Sequence, residues 1–159
     1  MDEETHGLQA SLARGDEAAF QAAYDRYGRT LYRAAWRILG NTPDAEDAVQ
    51  DVFSALAAGR RGVRNVKDLG AYLFVSLRRV AWRIAQRRAR QPQGPCVSDP
   101  PTAPAPAEPL EADRLRAALT RLPAPQREVL ALKIDGELTF AQIGEVLGVS
   151  PNTAASRYR

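Results

Sequence analysis

Tyr72, Arg79, Trp82 and Arg83 fall within one stretch, 68–90, whose apolar residues recur at helical spacing. Guanidinium groups pair with phosphates and aromatic rings give bases a plane to stack on, so this combination suits single-stranded nucleic acid. At about 100° per residue, Tyr72, Arg79, Arg83, Gln86 and Arg90 line up within about 60° of one another, flanked by Val75 and Trp82. Either ring alone could equally pack in a helical core; two rings beside the arginines favour the exposed reading. A second set lies at the C-terminal end. Asn152, Thr153, Ser156 and Arg157 are short polar and guanidinium side chains that can reach base edges in a major groove. A third set is acidic: Asp44, Asp47 and Asp51, spaced three and four apart, share the outer face of another helix. Solvation and the helix dipole explain Asp44 and Glu46 but not Asp51, which leaves open a docking surface for a basic partner.

Helices must hold these groups, and the apolar pattern supplies them. The first spans 16–39, with Phe20, Tyr24, Tyr27, Leu31, Ala35 and Ile38 on one face and Gly40-Asn41 at its end. Thr42-Pro43-Asp44 reads as a capped start with proline at the first position and an acid in the first turn. That helix runs to about residue 57 and buries Ala45, Ala48, Val49, Val52, Phe53 and Leu56. A basic loop over 59–67, GRRGVRNVK, leads into the helix at 68–90, whose core stripe is Leu69, Leu73, Leu77, Val80 and Ile84. The segment 91–109 holds seven prolines in nineteen residues and few large apolar side chains, the composition of an extended, semi-rigid linker.

Beyond it, Leu115, Ala118, Leu119 and Leu122 form an amphipathic helix stopped by Pro123. Pro125 opens another, with Val129, Leu130, Leu132 and Ile134 inside and Gly136 at its end. Phe140, Ile143, Val146 and Leu147 then keep to one face of a short helix, and Gly148 follows where a left-handed residue ends it. Ser150 can cap a last helix, with Pro151 at its first position, where a missing N–H costs nothing. This is a helix-turn-helix pattern, for which an ordinary helical hairpin is the plainer alternative. The expected fold is all-α: a helical bundle over 1–90, a linker over 91–109 and a four-helix unit over 110–159.

The 159 residues suffice for one ordinary domain or two small ones, and 45% hydrophobic content is that of a globular protein. No run of about eighteen apolar residues occurs, so no membrane span is expected. The acidic start is unlike a signal peptide. Cys96, the single cysteine, cannot form an internal disulfide, and no metal-ligand cluster or cofactor motif is present in the sequence. His6, the only histidine, sits near an end expected to be mobile and has no catalytic role. These features point to a cytoplasmic protein without metal or cofactor. The net charge of +3 hides a segregation: −5 over residues 1–58, +9 over 59–90 and −1 over 91–159. A basic block of that density is the electrostatic footprint expected for a polyanion.

On these residues the sequence resembles the extracytoplasmic-function (ECF) sigma factors, the smallest kind of bacterial promoter-specificity subunit. The run 24–38, then Gly40-Asn41 and 44–53 (DAEDAVQDVF), is similar to the family's core-binding block. The segment from Ala71 through Arg79 stands where the family has its promoter-melting helix, and 119–159 resembles the domain that reads the upstream promoter element. The resemblance implies two helical domains spanning an RNA polymerase core. Asp44, Asp47, Gln50 and Asp51 would dock on a coiled coil of the largest polymerase subunit. Arg61, Arg64 and Asn65, with Tyr72, Arg79, Trp82 and Arg83, would hold the opened non-template strand of the −10 element. Ser150, Asn152, Thr153, Ser156 and Arg157 would serve the −35 duplex. The linker would thread toward the polymerase active centre, and an anti-sigma factor commonly restrains such proteins. This chain departs from the family pattern in having Tyr72 for a usual Trp and Arg79 where Asn is common. Its recognition helix stops at Arg159, about two turns early, and is expected to be truncated.

Three other readings compete. A stand-alone helix-turn-helix regulator would need a dimer interface to pair half-sites, and no spare apolar stripe offers one. A small enzyme could use Asp47 and Asp51 as paired carboxylates, but neither a base nor a phosphate-cradling loop lies near them in sequence. A helical adaptor without a nucleic-acid role leaves the basic block unexplained.

Overall fold

A computed structural model describes residues 3–64, 66–90 and 109–159. Nine helices occur among them and no strand: α1 (Glu3–Arg14), α2 (Glu17–Leu39), α3 (Thr42–Ala58), α4 (Arg60–Val63), α5 (Leu69–Ala89), α6 (Pro109–Arg121), α7 (Ala124–Ile134), α8 (Phe140–Leu147) and α9 (Pro151–Tyr158). The segment read as a linker, with Cys96, lies outside the described residues apart from Pro109, which opens α6.

Side-chain caps set the helix starts. Asp16 accepts from the Ala18 N–H at 3.0 Å, and Asp68 accepts from the Ala71 N–H at 3.0 Å. The start of α3 differs from expectation: its cap is Asn41, not Thr42. The Asn41 oxygen accepts from the Asp44 N–H (2.9 Å) while its amide donates to Asp44 Oδ2 (2.8 Å).

The core of the first unit lies between α2, α3 and α5. The predicted α5 stripe is entirely buried, joined by Phe74 and Ala81. The α2 stripe needs correction. Ala19, Ala23, Leu31, Ala34, Ala35 and Trp36 face inward, whereas Tyr24 is 52% exposed. The close approach of α3 to α2 admits only small side chains along much of that face, so the tyrosine ring is displaced outward.

The N-terminal stretch expected to be mobile forms α1, which packs on α2 and α4. Leu12 is fully buried there, and Gln9 is 2% exposed. The basic loop also contains the single turn of α4.

In the second unit, α7 packs on α2 and the start of α8 meets α5. Ile134, expected inside, is 47% exposed, and its neighbour Asp135 is buried. Asp135 points at α2 instead, where Arg37 Nε lies 2.6 Å and Arg33 Nε 3.7 Å away. Burial pushes its carboxyl above the usual range, and the two arginines only partly oppose that. The Phe74 ring closes against Gly136, where a Cβ would stand 3.1 Å from the ring and 2.7 Å from the Leu132 carbonyl oxygen. Two further polar contacts tie the units: Arg78 Nε to Glu128 Oε2 at 3.3 Å, and Gln142 Nε2 to Asp68 Oδ2 at 3.1 Å.

Candidate nucleic-acid interface

The basic face of α5 exists because its opposite stripe is consumed by the core. Trp82 is 60% exposed, with Arg79 and Arg83 exposed beside it. Together with Arg78 and Glu128 they line an open hollow of about 350 Å³. Arg79 has no carboxylate partner among the described residues, and Arg83 reaches Asp51 only at 3.9 Å with both side chains exposed. So loose a surface pair contributes little and leaves the guanidinium available to an anion. Tyr72 is half-buried and packs against the core, so the two rings of the sequence pattern divide between packing and surface. Arg64 is exposed near Arg14 of α1. Arg61 lies within α4, and Asn65 lies outside the described residues.

The acidic set on α3 splits in two. Asp44 is held by Asn41 and by Arg88, whose Nη1 donates to Asp44 Oδ2 at 3.0 Å, and Asp51 faces Arg83. Both carboxylates therefore lean toward α5. Asp47 and Gln50 are exposed, and Gln50 borders a broad depression of about 910 Å³ between α2 and α3. Tyr24, Tyr32, Glu46 and Phe53 line it too, with the Tyr24 and Phe53 rings 5.0 Å apart and tilted by 56°. Sequence reasoning assigned Tyr24 and Phe53 to the core and missed this face. The available signal was the mid-helix Gly28 between Tyr24 and Tyr32, since glycine there costs about 1 kcal/mol relative to alanine and so marks a special surface.

The helix-turn-helix follows its sequence closely. Thr139 and Gln142 form a reciprocal capping box at the start of α8. Gly148, at φ 68°, makes the left-handed exit, and a Cβ on Gly144 would meet the Val149 carbonyl oxygen at 2.7 Å, so the turn folds back tightly on α8. The Ser150 hydroxyl accepts from the Thr153 N–H at 3.1 Å and shares a 2.8 Å hydrogen bond with its hydroxyl. Ser150 and Thr153 thus build the helix start, while Asn152 and Ser156 stand exposed and Arg157 is half-buried. An isolated helix of eight residues is marginal. Here Ala154 is fully buried and the Tyr158 ring meets Phe140 edge-on at 5.7 Å, which anchors the last turn.

Among the described residues no group of acids, histidines or cysteines could hold a metal ion, and no helix is long and apolar enough to cross a membrane.

Two family models match separate stretches of the chain. The Sigma-70 region 2 family model matches residues 23–91 and the Sigma-70, region 4 model matches 112–159. The ECF RNA polymerase sigma factor SigM of Mycobacterium tuberculosis is 29% identical over 151 residues, covering 94% of this chain and 76% of SigM. The ECF RNA polymerase sigma factor SigW of Bacillus subtilis is 26% identical over 167 residues, covering 92% and 86% respectively. The fold resembles that of the sigma factor RpoE of Bartonella quintana, solved in complex with the anti-sigma factor NepR, with a TM-score of 0.74 at 24% identity over 87% of this chain and 89% of that one. With its region 2 match over the helices that carry the Arg/Trp face and its region 4 match over the helix-turn-helix, the chain belongs to the sigma-70 family, as an ECF RNA polymerase sigma factor.

Proposed function

We propose that three separate surfaces carry out polymerase binding and promoter-directed initiation in this chain. Asp47, Gln50, Asp51 and the Tyr24–Phe53 depression form the docking face for core polymerase, with Asp44 fixing α3 against Arg88 of α5. Arg79, Trp82 and Arg83, with Arg61, Arg64 and Asn65 from the preceding segment, hold the opened strand of the −10 element. There the guanidinium groups neutralise phosphates and the exposed indole stacks on a base. Tyr72, half-buried, sets the depth of that face rather than offering a free stacking plane. Asn152, Ser156 and Arg157 read the −35 duplex from α9, whose start is built by Ser150 and Thr153.

The observation that carries this reading is the exposed Trp82 between Arg79 and Arg83. An exposed indole between two guanidinium groups, one without a carboxylate among the described residues and one only loosely paired, offers a stacking plane beside phosphate-binding cations. The chain acts in the cytoplasm, with no cofactor and no catalysis of its own. An anti-sigma factor is proposed as a regulatory partner on the strength of the NepR-bound neighbour. The test is retention of bacterial promoter fragments by the chain alone, by core polymerase alone and by the two together. Specific retention only by the pair is expected; specific retention by the chain alone would favour a stand-alone regulator.

A further inference from the structure

Three polar or charged residues are buried among the described residues: Gln9, Asn41 and Asp135. Asn41 caps α3 and Asp135 meets Arg37, so two of them have evident tasks. Gln9 lies on α1, outside the residues matched by either family model. Its Nε2 donates to the Val66 carbonyl oxygen at 3.0 Å, across fifty-seven positions of sequence. Burying an amide is unfavourable unless it is hydrogen-bonded, and an apolar side chain would fill the same space without that risk. What the amide adds is an anchor for one particular carbonyl.

That carbonyl sits at a critical place. Val66 lies between α4, a single turn that cannot hold its shape alone, and Asp68, the cap of α5. The Val66 N–H donates back to the Val63 carbonyl oxygen at 3.1 Å, so residue 66 is pinned from both sides. Leu12 of α1 and Val63 of α4 are fully buried, and Leu69 at the start of α5 is fully buried as well. Arg64 is exposed just before this anchor, and α5, which carries Arg79, Trp82 and Arg83 farther along, begins just after it.

We propose that Gln9 is a positioning residue for strand capture, fixing through Val66 where Arg64 stands and the direction in which α5 carries Arg79, Trp82 and Arg83 to the opened strand. This rests on the function proposed above. The test uses full-length chain reconstituted with core polymerase, comparing the parent with Gln9→Met, which keeps length and loses the donor. Gln9→Asn, which keeps the amide but withdraws it by one methylene, is the second variant should Gln9→Met fold poorly. The probe is a single-stranded oligonucleotide selected from a random pool on the parent holoenzyme and absent from the core-only selection. Both variants are expected to bind it about tenfold more weakly while capturing core polymerase as the parent does. In the free chain, trypsin is expected to cut after Arg64 and Lys67 about tenfold faster. Unchanged strand binding and unchanged cleavage would overturn the proposal. Parallel loss of strand and core binding would also overturn it, because Gln9 would then serve general stability. If the parent holoenzyme itself selects no strand beyond core alone, the proposed function fails, and the role of Gln9 fails with it.

Discussion

Arg37 Nε and Asp135 Oδ2 lie 2.6 Å apart although ninety-eight residues separate them, and the Asp135 side chain is 2% exposed. This contact seats α7 of the second unit on α2 of the first. Burying the carboxylate costs much of what the attraction returns, so such a pair adds little net stability. Its effect lies in selecting one arrangement: with Asp135 turned outward, Arg37 would be left half-buried without a counter-charge.

The first prediction concerns pH. Burial raises the Asp135 carboxyl above its ordinary value of 3.8, and Arg37 and Arg33 lower it by less. A group whose folded pKa is raised contributes fully below its unfolded value and loses that contribution as pH rises through the folded value. Stability of the parent relative to Asp135→Asn should therefore be greatest in acid, decline as pH climbs from 3.8 through the raised value, and then level off. Urea unfolding of both proteins across that range measures it. Asp135→Ala, which strands Arg37, should cost about 3 kcal/mol at neutral pH.

Asp44 and Asp47 should separate into a structural and a docking role. Asp44→Ala removes the acceptor for both Asn41 and Arg88 and should lower stability by about 1 kcal/mol. Asp47→Ala with Gln50→Ala, both exposed, should leave the thermal midpoint unchanged and weaken capture of core polymerase. Loss of stability in the second pair would place those side chains in the fold instead.

Charge and stacking on α5 should be separable by salt. Arg79→Ala with Arg83→Ala removes two phosphate contacts and should reduce the salt slope of single-strand binding by about 1.4. Trp82→Ala should weaken binding by about 1–3 kcal/mol with the slope unchanged. Titrations of the holoenzyme with a labelled single strand at several salt concentrations distinguish the two effects.

The recognition helix should depend on its two ends. Ser150→Ala removes the cap and should destabilise α9 by about 1 kcal/mol. Tyr158→Ala removes the ring contact with Phe140 and should fray the last turn. Both should weaken −35 duplex retention by the holoenzyme while sparing single-strand binding.

How much of this could be read from the sequence differs by element. The α5 stripe and the Gly148–Ser150–Pro151 turn were legible because local spacing and local backbone chemistry decide them. The inward face of α2 was not. A tyrosine at helical spacing resembles a core residue until the approach of α3 determines how much room remains. Ile134 and Asp135 differ by one position, and the choice between them was made by Arg37, far away in sequence. The helix α1 escaped notice because its buried residues include Gln9, whose burial makes sense only beside the Val66 carbonyl. Of the acidic set, spacing revealed a shared face on α3 but not that Asp44 and Asp51 turn toward arginines on α5.

The most direct test of the central claim is capture of purified bacterial core RNA polymerase by the full chain, run beside the Asp47→Ala/Asp51→Ala variant. Capture by the parent, with loss in a variant that remains folded, is the expected result. Failure of a folded parent to capture core polymerase would contradict the assignment of this chain's helices to polymerase-directed initiation. Equal capture by both proteins would instead move the docking face away from the acidic side of α3.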